Sequence, residues 1–130
     1  MTTPWSAADL AAVDASPELR IATVRRDGSW SSGTPVWVVR VGDDVVVRSW
    51  HRRSTGWFGR ALRRPRARVD LPGLDAEVAV EDVGVGQGDL RERVDAAYRD
   101  KYGAGHASMV TDDAAATTLR LVRAQPRRPG

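Results

Sequence analysis

Gly42-Asp43-Asp44 lies between two valine-rich runs, TPVWVVRV (34–41) and VVVRSW (45–50). A tight Gly-Asp turn between two such runs predicts an antiparallel hairpin from Pro35 to Trp50. The remaining apolar runs are just as short and just as closely punctuated. LRIATVRR ends at Asp27-Gly28, and Pro72-Gly73 separates ARVDL from DAEVAVEDVGV. TTLRLVRA adds a sixth run near the end of the chain. Six short strands, mostly in hairpin order, predict a mainly β fold: a small antiparallel barrel with peripheral helices.

Three helices are predicted around those strands. Ser6 and Asp9 form a capping-box pattern, with Trp5 and Leu10 at the two positions of a hydrophobic staple. They start a helix over about Ala7–Ala15, which Pro17 prevents from continuing. A second helix, about Gly56–Arg63, stops at Pro65. Asp89 and Glu92 open the longest one, DLRERVDAAYRDKY, and Gly103 is its C-terminal cap. Leu90, Val94, Ala97, Tyr98 and Tyr102 recur along it at helical spacing. Leu90, Val94 and Tyr98 are expected to pack on the barrel. A single domain is expected over residues 1–123, with a disordered basic tail over 124–130.

The 130 residues carry no cysteine, which rules out disulfides and thiolate metal sites. His51 and His106 are too few for an ordinary zinc site without carboxylates, so no metal is expected. No apolar run approaches the roughly 18 residues that a membrane span requires. MTTPWSAADL lacks the basic start and apolar stretch of a secretory leader, so the expected location is cytoplasmic, away from membranes. The net charge is +3, and nineteen of the twenty basic residues are arginine, leaving Lys101 as the sole lysine. Codon usage in a GC-rich genome accounts for the number of arginines but not for their clustering.

The cluster is VRSWHRRSTGWFGRALRRP, Val47–Pro65, with six arginines and two of the five tryptophans. Arg48-Ser49 closes a strand, and Thr55-Gly56 is placed to cap the next helix, whose first amides have no partners within it. A helix start of this kind favours an anion. Trp57, Arg60, Ala61 and Arg64 share one predicted face, while Phe58 and Leu62 anchor another. An indole and a guanidinium beside free amides suit a phosphorylated, planar, aromatic ligand, with Trp57 or Trp37 against its ring. Arg52, Arg53, Arg63 and Arg66 read as solvated, and Tyr98 and Tyr102 as core.

The order GTPVWVVRVGDDVVVRSW then GWFGRALRRPRARVDL resembles the flavin and deazaflavin split β-barrel superfamily. Trp37-Val38-Val39, Arg48-Ser49, Trp57-Phe58-Gly59-Arg60-Ala61 and Tyr98-Arg99-Asp100-Lys101-Tyr102-Gly103 are most similar to a branch of unknown function, domain-of-unknown-function family 2255. The loop HRRST departs from the Gly-rich loop of many relatives. The resemblance implies a six-stranded antiparallel split β-barrel, and a homodimer with its cofactor near the subunit interface. The implied cofactor is FMN or the 8-hydroxy-5-deazaflavin coenzyme. By position, Arg48, Ser49, Thr55, Gly56, Trp57 and Arg60 become cofactor-binding candidates, Trp37 a wall of the ring pocket, and Lys101 a further candidate.

No nucleophile–base pair, nucleotide-hydrolase loop or paired-histidine motif stands out, so no catalytic residue is assigned. Three readings stay open. The first is a small oxidoreductase whose cofactor carries hydride to or from an unknown small molecule. The second is a non-catalytic cofactor-binding or interaction protein of the same fold. The last is a nucleic-acid binder. The spread of Asp27, Asp43, Asp44, Asp70, Asp75 and Glu77 argues against it, and nucleic acid is not the expected partner.

Overall fold

The computed structural model describes residues 4–49, 56–84, 88–103, 107 and 109–124. Helix α1 (Ala7–Ala15) opens with the predicted capping box: Ser6 Oγ accepts from the Asp9 amide, and the Asp9 carboxylate accepts from the Ser6 amide. Strands follow as β1 (Leu19–Thr23), β2 (Thr34–Val36), β3 (Val38–Val41) and β4 (Asp44–Val47). Then come α2 (Gly56–Arg63), β5 (Arg66–Leu71), β6 (Leu74–Asp82), α3 (Asp89–Tyr102), α4 (Asp112–Ala115) and β7 (Leu119–Arg123). The sequence contains no hydrophobic period for α4, which is four residues long and capped by Thr111 Oγ1 on the Ala114 amide.

All pairings in the seven-stranded sheet are antiparallel, in the order β2-β1-β5-β6-β7-β4-β3. Its two outermost strands are consecutive in the chain. β2 and β3 are one extended segment interrupted at Trp37, with β2 paired to β1 and β3 paired to β4. That segment closes the sheet into a nearly complete barrel. The predicted strand TPVWVVRV is thus present but broken at Trp37, which is why seven strands replace the expected six. The tight turns fall where expected. Gly73 takes φ +91° between β5 and β6, and Gly42 takes φ +61° between β3 and β4, values a residue with Cβ adopts only at a cost.

Alternation along the strands builds two cores. Inward residues Leu19, Ile21, Val45, Val47, Val69, Val78, Leu119 and Leu121 fill the barrel, with Leu10 and Val13 of α1 and Trp57, Phe58 and Ala61 of α2. The other core lies outside the barrel. Val39, Val41 and Val46 of the β3–β4 hairpin meet Val94 and Tyr98 of α3, with Met109 alongside and Leu90 packed against them. α3 therefore packs on the barrel through the predicted residues. Ala124, assigned from sequence to the tail, donates its amide to Glu77 O and prolongs the β7–β6 pairing. Residues 125–130 lie outside the described residues.

Candidate functional site

Alternation along β4 decides where Arg48 goes. Val45 and Val47 face the barrel core, Val46 faces α3, and Arg48 continues on the side of Val46. Its side chain is completely buried. Nε donates to Thr118 Oγ1 at 2.9 Å, and Nη1 donates to Met109 O at 2.8 Å and to the Asp95 carboxylate. Nη2 is buried without a hydrogen-bond partner. Asp95 projects from α3, where Arg91 lies 3.7 Å away and itself pairs with Asp112. Ser49 is buried beside Arg48: its amide donates to Thr117 Oγ1 and its carbonyl accepts from the same hydroxyl, both at 2.8 Å. Arg48-Ser49 is thereby stitched to Thr117-Thr118 at the start of β7.

Trp37, expected as a wall of the ring pocket, is half-buried. Its indole stacks on Tyr102 with centroids 4.4 Å apart and planes 4° from parallel. The break at Trp37–Val38 leaves backbone groups that α3 side chains satisfy. Tyr98 Oη donates to Trp37 O at 2.8 Å and accepts from the Arg48 amide at 2.9 Å. Tyr102 Oη accepts from the Val38 amide at 3.1 Å and lies 2.7 Å from its acceptor Pro17 O. Lys101 Nζ donates to Val13 O at 2.7 Å and Val38 O at 2.8 Å. A compact ammonium with rotatable donors fits between two carbonyls where a planar guanidinium would not. This gives a physical reason for the single lysine. The late motif Tyr98–Tyr102 is thus a clamp joining α1, the strand break and the end of β4.

Burial sets the protonation behaviour of the clamp. It pushes the Tyr102 hydroxyl up to about 12 and the Tyr98 hydroxyl well above the ordinary tyrosine value. Burial also lowers the Lys101 ammonium, which Asp14 partly offsets. Tyrosine values raised on folding stabilise the fold fully below pH 10.0, the ordinary value, and the contribution is lost as pH rises through about 12. Urea midpoints are therefore expected to fall between pH about 9 and about 11.5, and to fall less for Tyr102→Phe. Parallel losses in the two proteins would remove Tyr102 from the account.

α2 differs from its predicted faces. Trp57, Phe58 and Ala61 are all buried in the barrel core, with Trp57 edge-on to Phe58 at 5.7 Å. Trp57 is a core residue and not a platform for a ring, because α2 lies over the barrel on its Trp57–Phe58–Ala61 side. Arg60 leaves that side half-buried, and its Nε donates to Thr23 Oγ1 on β1 at 2.9 Å. Its two Nη groups have no partner among the described residues, and no carboxylate lies within ion-pair distance. Gly56 is exposed at the start of α2 with φ +60°. Thr55, the remaining candidate, lies outside the described residues. Arg48 and Arg60 do not converge: one runs under α3 to Asp95, the other across to β1.

Lys101 also borders an open cleft of about 560 Å³ between α1, β3 and α3, floored by Val39, Val41 and Ala97. Arg40 at its edge is held by Asp14 at 3.1 Å and by Gly42 O at 2.7 Å. Among the described residues no helix is long and apolar enough to cross a membrane.

A nearly closed antiparallel barrel bridged by one broken strand, with a helix on its outer face, defines a split β-barrel. The chain belongs to the family described as "Uncharacterized protein conserved in bacteria (DUF2255)", whose model matches residues 9–121. No curated protein matches it. Among solved structures it is similar to a conserved hypothetical protein from Mycobacterium tuberculosis, with 15% identity and a TM-score of 0.63 over 97% of this chain and 83% of that one. It is similar to a FAD-binding protein from Mesorhizobium loti, with 15% identity and a TM-score of 0.56 over 96% and 94%. It is also similar to an F420 reductase, with 17% identity and a TM-score of 0.50 over 87% and 90%.

Proposed function

We propose that this chain binds a flavin or deazaflavin cofactor, FMN or the 8-hydroxy-5-deazaflavin coenzyme, through an acidic group held at α2. The observation that carries this reading is Arg60. Its Nε is fixed by Thr23, and both Nη groups are left uncommitted on a half-buried side chain. A guanidinium positioned by one bond and open at its fork is ready for a bidentate phosphate or carboxylate. The exposed start of α2 at Gly56 adds the favourable end of the helix dipole. Arg48, Ser49, Trp37, Trp57 and Lys101 support the site as framework, since their rings or, apart from Arg48 Nη2, their polar groups are engaged within the fold. The names of the similar solved structures, a FAD-binding protein and an F420 reductase, favour the same ligand class.

When bound, such a cofactor supplies hydride transfer, here to or from a small molecule of unknown identity. Arg60 binds and orients its acidic end. The test is a difference-absorption titration of the purified chain with FMN and with the deazaflavin coenzyme. Saturable perturbation by one of them is the expected result, and none by either removes the proposal.

Assembly as a homodimer is part of the proposal, because the resemblance to the split β-barrel superfamily implies a cofactor near a subunit interface. The interface should bury more than about 1,000 Å² in total. Light scattering at micromolar concentration is expected to give twice the chain mass, and a monomer would overturn the dimer.

A further inference from the structure

We infer that the β1–β2 turn and the last turn of α2 form a surface for the phosphodiester backbone of nucleic acid. Arg25, Arg26, Arg63 and Arg64 are all exposed. Arg64 fastens the two segments together, because Nη1 donates to Arg25 O and Nη2 donates to Arg26 O at 3.0 Å. The two segments that carry the four arginines are therefore held together.

The gathering of unpaired charge carries the argument. Arg40 meets Asp14, Arg66 meets Glu77, Arg91 meets Asp112 and Arg120 meets Glu81. Arg20, Arg68, Arg93 and Arg99 are exposed without an ion pair, but on the β1–β2 turn and the end of α2 four such arginines lie on two joined segments. All 17 Asp and Glu of the chain lie among the described residues. None pairs with Arg25, Arg26, Arg63 or Arg64. The nearby Asp27 is bound in its own turn by the Ser29 amide at 2.9 Å and hydroxyl at 2.6 Å, and it feels the charge of Arg25. The acidic residues that argue against nucleic acid in the sequence fall elsewhere, with Asp43 and Asp44 at the β3–β4 turn and Asp70, Asp75 and Glu77 on β5 and β6.

The patch also lacks apolar anchors. Its neighbours Gly28, Ser29 and Pro65 are small or rigid, and Trp30 is half-buried with the Arg66 and Arg68 guanidinia 5.5 and 5.6 Å from its ring. A protein partner would need a buried apolar hot spot, and stable membrane attachment needs apolar insertion or a second anchor. A row of phosphates needs only clustered cations.

The experiment measures binding of a fluorescent 20-nucleotide oligo(dT) to the full chain across salt concentrations. Four phosphate contacts give a slope of log K against log salt of about −3, and about fiftyfold weaker binding between 50 and 200 mM salt. Arg26→Ala with Arg63→Ala is expected to lower affinity about tenfold at low salt and halve the slope. Arg91→Ala, which removes a carboxylate-paired arginine, is the control and should leave the slope unchanged. Absence of binding at about 50 mM salt would overturn the inference, as would equal losses in the double variant and the control. Binding to vesicles of anionic lipid but not to the oligonucleotide would overturn it too. Cofactor affinity is unaffected by either result, since Arg60 is not substituted.

Discussion

Asp95→Ala is expected to destabilise the protein by about 3–5 kcal/mol. The reason is what it leaves behind. The Arg48 guanidinium is fully buried, with Asp95 as its carboxylate partner. Removing that carboxylate strands a charge inside the fold, and breaking a buried pair from one side costs far more than the pair contributes. Thr118 and Met109 O still accept two of its N–H bonds, but neither carries charge. A loss of this size is a large fraction of the about 5–15 kcal/mol that holds a typical domain folded. Urea unfolding should show a lower midpoint with an unchanged slope. Arg91→Ala also removes an arginine that lies near Asp95, but from an exposed network, and should shift the midpoint far less. Equal losses in the two variants would mean that Asp95 does not neutralise a buried charge.

Arg60→Ala has the opposite signature. Its side chain is outside the apolar core, so the fold should tolerate the loss of one bond to Thr23. If the fork holds a phosphate or carboxylate, the lost charge-assisted hydrogen bonds are worth about 1.5–3 kcal/mol. Cofactor affinity should then fall roughly ten- to a hundredfold. Arg63, exposed and without a described partner, provides the comparison on the same helix.

The division between these two arginines was not legible in the sequence. Both sit in one basic, Trp-containing stretch, and proximity in the chain reads as proximity at a site. Alternation along VVVRSW does place Arg48 opposite Val47, which points it away from the barrel interior. What spacing does not supply is the partner, since Asp95 and Thr118 are 47 and 70 residues further on. The fold itself was readable because it rests on local signals. The Ser6–Asp9 capping box, the Gly42 and Gly73 turns and the apolar spacing of α3 each act over a few residues and agree with one another. The break at Trp37 was not readable. It depends on Tyr98, Lys101 and Tyr102 reaching from another element to satisfy the interrupted backbone. The same long-range contacts make the Tyr98–Tyr102 motif a clamp and occupy Lys101, which the resemblance makes a cofactor candidate. Trp57 misled for a related reason: helical spacing gives relative faces, but the barrel decides which face is buried.

The central claim is that α2, and Arg60 in particular, holds the acidic end of a flavin or deazaflavin cofactor while Arg48 serves the fold. Its most direct test is the dissociation constant for FMN and for the deazaflavin coenzyme, measured by difference absorption on the wild type, Arg60→Ala and Arg63→Ala. The account predicts saturable binding of one cofactor by the wild type. It predicts ten- to a hundredfold weaker binding by Arg60→Ala, about as in the prediction above, with an unaltered circular dichroism spectrum, and wild-type affinity for Arg63→Ala. Cofactor binding that is equally tight in all three proteins would contradict it, as would no binding by the wild type at all.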